Sequence, residues 1–241
     1  QGLWEVFFIY EWLLKTLEKT FDDVKILKKS SRGTVCRLRH RATGKNFILR
    51  RYTGNADVYQ RLLSLSCPNL PRILEVAGGG GKNWCILEEF VEGDTLGYLL
   101  QGALFSPEET RKIIRQVCQG LWVLHSMDAV HRDVKPENVI LRGSEAVLID
   151  FDAARLHKPE HDTDTLILGT TGFAAPEQYG LSQTDPRSDI YSVGILMNVM
   201  LTGQHPSKRL AEGRLGRVVE RCTRVNPRRR YPNVLRLMEA L

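Results

Sequence analysis

The hydrophobic period of this chain changes once along its length, and that change constrains the fold most. From residue 24 to 52 the pattern is that of strands. "VKIL", "TVCRLRH" and "KNFILRRY" predict three short ones, with turns at "SSRG" and "RATGK". "RILEVA" and "NWCILEE" predict two more, separated by "GGGGK", and residues 55–65 read as a helix between the third strand and the fourth. After "EEFVEGDT" the period becomes helical. Ser106, Pro107 and Glu109 supply a cap, a first-turn proline and a capping box, and Ile113, Ile114, Val117, Leu121 and Leu124 run down one face. Asp185-Pro186 starts a second helix, whose "DIYSVGILMNVML" is apolar all round and so predicts a buried central element. The expectation is an α+β, bilobal fold. Its small lobe, 21–89, holds a five-stranded antiparallel sheet plus one helix; a hinge at 89–93 leads to a larger, mainly helical lobe, 94–241.

Ahead of the sheet, residues 3–18 are apolar and long enough for a helix of four turns. Residues 1–20 are therefore read as a helical extension that docks on the body or mediates self-association. The 241 residues carry a formal charge of +6, which suits an anionic partner. Much of that excess lies late, in Arg209, Arg214, Arg217, Arg221, Arg224 and the "RRR" at 228–230, and reads as a solvated helical face plus one structural arginine, with no nucleic-acid partner. Five scattered cysteines with no C-x-x-C indicate reduced thiols in the cytoplasm and no structural zinc. No apolar run reaches the ~18 residues of a membrane span. The chain opens on Gln1 instead of Met, so it is also compatible with the cytosolic domain of a larger, membrane-anchored protein.

The chemistry concentrates in "HRDVKPENV", which fits H-R-D-x-x-x-x-N at full spacing with a lysine two residues after the aspartate. "DFD" begins twelve residues after Asn138, and "AAPEQ" and "SDIYSVG" follow in order. In these landmarks, residues 21–241 resemble the Hanks-type (eukaryotic-like) serine/threonine protein kinases. The resemblance implies a protein-kinase-like fold and the cofactors ATP and Mg²⁺. It makes Asp133 the base that accepts the proton of the attacking hydroxyl and Lys135 a point charge on the γ-phosphate. Asn138 and Asp150 become hard-oxygen ligands for the metal. It further implies that Arg132 binds a phosphate on the 150–177 segment, with Thr163 and Thr165 as phosphorylation sites and Thr170 contacting the base; the alternative is that the acidic neighbours Asp162 and Asp164 satisfy Arg132 directly. Glu177 should pair with Arg230, and Asp189 should hold the backbone of the catalytic loop.

Nucleotide contacts are implied at Gly33, Val35, Ile48, Arg50, Glu88, Glu89, Val91 and Ile140, yet here the chain departs from the family. Only Gly33 survives of the glycine loop, with Lys28 and Ser30 at the other glycine positions. Strand three reads Ile48-Leu49-Arg50 where the family has Ala-x-Lys, and arginine is wider and planar. Counting back from "CPN", Gln60 takes the place of the helical glutamate that normally pairs with that lysine, while Glu88 takes the gatekeeper position. Arg50 is therefore expected to fork onto Glu88. Asp152 replaces the last glycine of the metal segment and acts either as a turn cap or as a second ligand. The extra helix that the family uses to dock protein substrates is absent after "LTGQHPS". The expected function is transfer of the γ-phosphate of ATP to a Ser or Thr hydroxyl of a protein substrate or of the chain itself. The alternative is a pseudokinase scaffold with weak or no nucleotide turnover.

Overall fold

The computed structural model describes residues 15–17, 19–78, 82–157, 172–179 and 184–241. Thr163, Thr165, Thr170 and nearly all of the N-terminal extension lie outside them. Two compact units emerge. One holds the described residues up to Ser66 together with Pro71–Val91, and the other holds Cys67–Leu70 and Glu92–Leu241.

The first unit is one antiparallel sheet of five strands: β1 (Phe21–Ser30), β2 (Gly33–His40), β3 (Asn46–Thr53), β4 (Ile73–Gly78) and β5 (Asn83–Glu89), in the order β1-β2-β3-β5-β4. A short helix, α1 (Asp57–Leu62), lies between β3 and β4. β1 is longer than "VKIL" suggested. Its pairing with β2 shifts register between Asp22 and Lys25 and again between Ile26 and Lys28, and such bulges break the two-residue alternation that the eye follows.

Alternation gives the sheet two distinct faces. One carries Cys36, Leu38, Phe47, Leu49, Cys85 and Leu87 around Leu17 and Phe21, so the one buried side chain described from the helical residues at 15–20 docks on this face. The registers Val35↔Arg50, Arg50↔Ile86 and Ile48↔Glu88 place those side chains together on the other face.

The second unit is built on α2 (Leu96–Leu99), α3 (Pro107–Ser126), α4 (Pro186–Thr202), α5 (Gly213–Cys222) and α6 (Val234–Ala240). The capping box at α3 is present: Ser106 Oγ accepts from Glu109 N at 3.2 Å, and Glu109 Oε2 accepts from Ser106 N at 2.8 Å. α4 is buried around most of its circumference, as its sequence requires. Small strands β6 (Asp94–Thr95), β8 (Val139–Arg142) and β9 (Glu145–Leu148) form one sheet, and β7 (Ala129–Val130) pairs with β10 (Arg155–Leu156).

Cys67–Leu70 belongs to this second unit although the sequence placed it in the small lobe. Asn69 is the reason. Its Nδ2 donates to Ala146 O and its carbonyl accepts from Leu148 N, both at 2.9 Å. Gly120 lets the segment approach α3, since a Cβ there would stand 2.9 Å from Asn69 O.

Candidate active site

The "HRDVKPEN" stretch forms a loop between β7 and the 3-10 turn Pro136–Asn138, which leads directly into β8. Arg132 within it has φ 69°, a left-handed conformation that costs a non-glycine residue energy unless its surroundings enforce it. Three hydrogen bonds to two neighbours do so. Asp189 Oδ1 accepts from Arg132 N at 2.8 Å, Asp189 Oδ2 accepts from His131 N at 2.9 Å, and Gln178 Nε2 donates to Arg132 O at 2.8 Å. Asp189 sits at the start of α4, fully buried, so the central helix sets the shape of the loop. Burial works to raise its carboxyl pKa. The hydrogen bond with His125 Nε2 (2.8 Å), the electrostatic influence of His125 and His131, and the Arg132 N–H outweigh that and hold it below the usual value.

The loop so held brings three of the expected residues together. Lys135 Nζ lies 2.8 Å from Asp133 Oδ2, and Asn138 Nδ2 donates to the same oxygen and to Asp133 O, each at 2.9 Å. With its amide nitrogen committed to Asp133, Asn138 keeps its side-chain oxygen as its remaining polar side-chain atom. Asn138 O also accepts from Ile149 N at 2.9 Å, which ties the loop to the residue before Asp150. Asp150 has φ 69° and accepts from Asp152 N at 3.4 Å. That bond caps the turn from Asp150, and Asp152 itself is not in the left-handed region.

No group of three or more His, Cys, Asp and Glu side chains suited to a metal occurs among the described residues. One amide oxygen and one carboxylate nevertheless fit Mg²⁺, a hard ion that commonly takes one or two protein oxygens and completes its shell with phosphate and water. Ile140 lies in β8, opposite Val147.

Further along, Glu177 and Arg230 form the expected pair, with Nη1–Oε1 2.6 Å and Nη2–Oε2 2.9 Å. Arg230 spends its remaining donors on the carbonyls of Arg224, Arg187 and Val225. Residues 203–212 connect α4 to α5 without a helix, as the sequence suggested.

In the first unit, Arg50 Nε and Nη2 both donate to Glu88 Oε1, at 3.1 and 2.9 Å. Both side chains are buried, at 7% and 4% exposure. The helix contributes a different residue from the one expected. Gln60 is exposed, and Tyr59 is the buried residue, with its ring centroid 5.8 Å from the Arg50 guanidinium carbon. A helix of only six residues buries Val58, Tyr59 and Leu62, so counting along the sequence selected the solvent side.

Gly33 has a sufficient structural reason: its φ is +146°, and a Cβ would fall 1.8 Å from Arg51 O. Ser30 serves its own turn, accepting from Arg32 N at 3.3 Å and donating to Gly33 O at 3.4 Å. Glu89 Oε2 accepts from Arg72 N at 3.1 Å, and Val91 is buried at the boundary of the unit. Sequence reasoning missed His125, Gln178 and Tyr59. Only their contacts mark them out, since each sits in a helix or 3-10 turn with no signal of its own beyond the surrounding pattern.

Residues 21–228 match the protein kinase domain family. The serine/threonine-protein kinase pkn2 of Myxococcus xanthus is 34% identical over 165 residues, covering 64% of this chain and 20% of its own length. Serine/threonine-protein kinase PknL of Mycobacterium tuberculosis is 39% identical over 132 residues, covering 54% and 33%. Serine/threonine-protein kinase PknA of a Nostoc species is 31% identical over 181 residues, covering 65% and 32%. This chain therefore spans a third or less of the length of these relatives.

Proposed function

This chain belongs to the protein kinase domain family, and we propose on that premise that it transfers the γ-phosphate of ATP to serine or threonine hydroxyls. The observation that carries the proposal is the convergence of Lys135 Nζ and Asn138 Nδ2 on one carboxylate oxygen of Asp133. Phosphoryl transfer asks a protein for position and charge neutralisation more than for covalent chemistry. Asp133 accepts the proton of the incoming hydroxyl and orients its oxygen for in-line attack. Lys135, 2.8 Å from that carboxylate, is within a side-chain rotation of a phosphate oxygen approaching the same point. Asn138 Oδ1 and Asp150 would hold Mg²⁺, which would neutralise charge on the phosphates.

In the first unit Val35 and Ile48 offer the apolar surface for adenine, with Gly33 two residues before Val35, and Glu89 and Val91 just past the Glu88 that pairs with Ile48. Ile140 offers apolar surface on the second unit. Arg50, held by Glu88, presents a fixed cation whose position does not depend on a helical glutamate. Arg132 is the residue to bind a phosphate carried on Thr163 or Thr165, and Thr170 is the residue to contact Asp133. Lys135-Pro136-Glu137-Asn138, with Thr170 after Gly169, favours Ser/Thr acceptors. No helix among the described residues is long and apolar enough to cross a membrane. We place the reaction in the cytoplasm, with another protein or the chain itself as acceptor.

The test is transfer from γ-labelled ATP, with Mg²⁺, to peptide pools that differ only in a Ser, Thr or Tyr acceptor. Incorporation into the Ser and Thr pools that disappears in Asp133→Asn supports the assignment. Equal labelling by both proteins, or none by either, contradicts it and leaves a scaffold of kinase shape.

A further inference from the structure

The second unit carries a cavity of about 450 Å³ that the catalytic loop does not use. It opens where the start of α3, the end of α4, the 203–212 connection and the first turn of α5 meet. Phe105, Leu201 and Leu215 supply apolar wall, while Arg111, Arg209 and Arg214 face a single lining carboxylate, Glu212.

The three cations are poorly answered. Among the described residues, no hydrogen bond or ion pair reaches the guanidinium groups of Arg111 and Arg209, and Arg111 Nε is buried without an acceptor. Arg214 makes one contact, from Nε to Ala240 O at 3.2 Å. A buried donor left without an acceptor is uncommon in folded proteins and asks what satisfies it. The N-terminus of α5, a helix of ten residues, adds to the positive field, since Glu212 at its cap makes no side-chain capping bond.

The wall is built, not loosely draped. Buried Asn198 donates from Nδ2 to Gln204 O and Arg209 O, both at 2.8 Å, and its Oδ1 accepts from Ala211 N at 2.8 Å. α5 approaches this wall so closely that a Cβ at Gly216 would lie 1.8 Å from Ala211 O. The backbone that carries Arg209 is therefore fixed before any ligand arrives.

We propose that this cavity binds a small phosphomonoester with an apolar or aromatic body. Guanidinium groups fork onto phosphate oxygens and stay charged at every physiological pH. A lone phosphate would leave most of the space empty, whereas a cavity of this size is in the range of small-molecule sites, about 300–1,000 Å³. The apolar wall takes the body of the ligand, and the arginines take its head.

Phenyl phosphate, inorganic phosphate, phenol and a phosphothreonine peptide are the probes, read by calorimetry on the whole chain. Phenyl phosphate should bind at least about tenfold more tightly than inorganic phosphate or phenol. Arg111→Gln combined with Arg209→Gln should weaken it about tenfold or more, while the melting temperature and the response to Mg-ATP stay unchanged. Arg209→Gln alone, an exposed change, should weaken binding in the same direction. In the unaltered protein, phenyl phosphate should protect Arg209 from phenylglyoxal, as read by mass spectrometry. Three results would overturn the site: equal affinity in the variants, inorganic phosphate binding as well as phenyl phosphate, or the peptide binding where phenyl phosphate does not.

Discussion

Arg50 and Glu88 form a buried ion pair across adjacent strands, with two guanidinium nitrogens on one carboxylate oxygen. The strand-three cation is thereby anchored inside the sheet that carries it. Breaking a buried pair by removing one partner typically costs about 3–5 kcal/mol, whereas replacing both with apolar groups of similar volume is often neutral. Glu88→Gln should therefore lower stability by about 3 kcal/mol in urea denaturation, and Arg50→Met with Glu88→Leu should recover most of it. Gln60→Ala, on the exposed side of α1, should change stability by less than about 0.5 kcal/mol. A large effect of Gln60→Ala would mean that the helix does hold the cation.

Arg230 joins Glu177 to three backbone carbonyls, and its guanidinium is fully enclosed. Arg230→Met should destabilise the chain by about 3–5 kcal/mol. At about 2–4 °C per kcal/mol for a domain of this size, the melting temperature should fall by roughly 6–20 °C. Calorimetry of the variant checks this, and a fall of less than about 3 °C would assign the pair no structural weight.

Asp189 gives stability a defined pH dependence. Its carboxyl lies below the usual value in the folded chain, so folding favours the ionised form. That contribution is fully present above the unfolded value of about 3.9 and is lost as pH falls through the lower folded value. Asp189→Asn should be less stable at neutral pH, and the gap to the unaltered protein should narrow as pH falls below about 4. A gap that is constant from pH 7 to pH 3 would contradict the assignment.

Thiol chemistry should divide the five cysteines. Burial pushes the Cys85 thiol up to about 11 and Cys118 up to about 12, and it raises Cys222 as well. Thiolate is the reactive form, so at pH 8 iodoacetamide should alkylate the partly exposed Cys36 and Cys67 in the native chain. The other three should react only after denaturation, and peptide mapping reads both stages.

Much of this was legible before any coordinates. The change of hydrophobic period placed a five-stranded sheet ahead of a helical unit, because several short alternating runs bounded by turn residues differ from a long stripe at period 3.6. Arg50 and Glu88 could be paired from the sequence because each stands where the family keeps a different residue. Asp189 and the Glu177–Arg230 pair followed from motif positions alone.

Facing across a short helix was not legible. α1 is only six residues long, so an offset of one residue exchanges Tyr59 for Gln60. The bulges of β1 hid its length, since each bulge shifts the alternation by one. The arginine-lined cavity was invisible because it gathers four segments between Phe105 and Leu215, none of which carries a ligand-binding motif. Its Arg209 and Arg214 had looked like part of a solvated face.

The central claim is that Asp133, Lys135, Asn138 and Asp150 form a working phosphoryl-transfer site despite the altered first unit. The most direct test incubates the purified chain with Mg-ATP and maps phosphate at Thr163, Thr165 and Thr170 by mass spectrometry, beside Asp133→Asn. The account predicts phosphate on at least one of these threonines in the unaltered chain and on none in the variant. Identical spectra from the two proteins would contradict it.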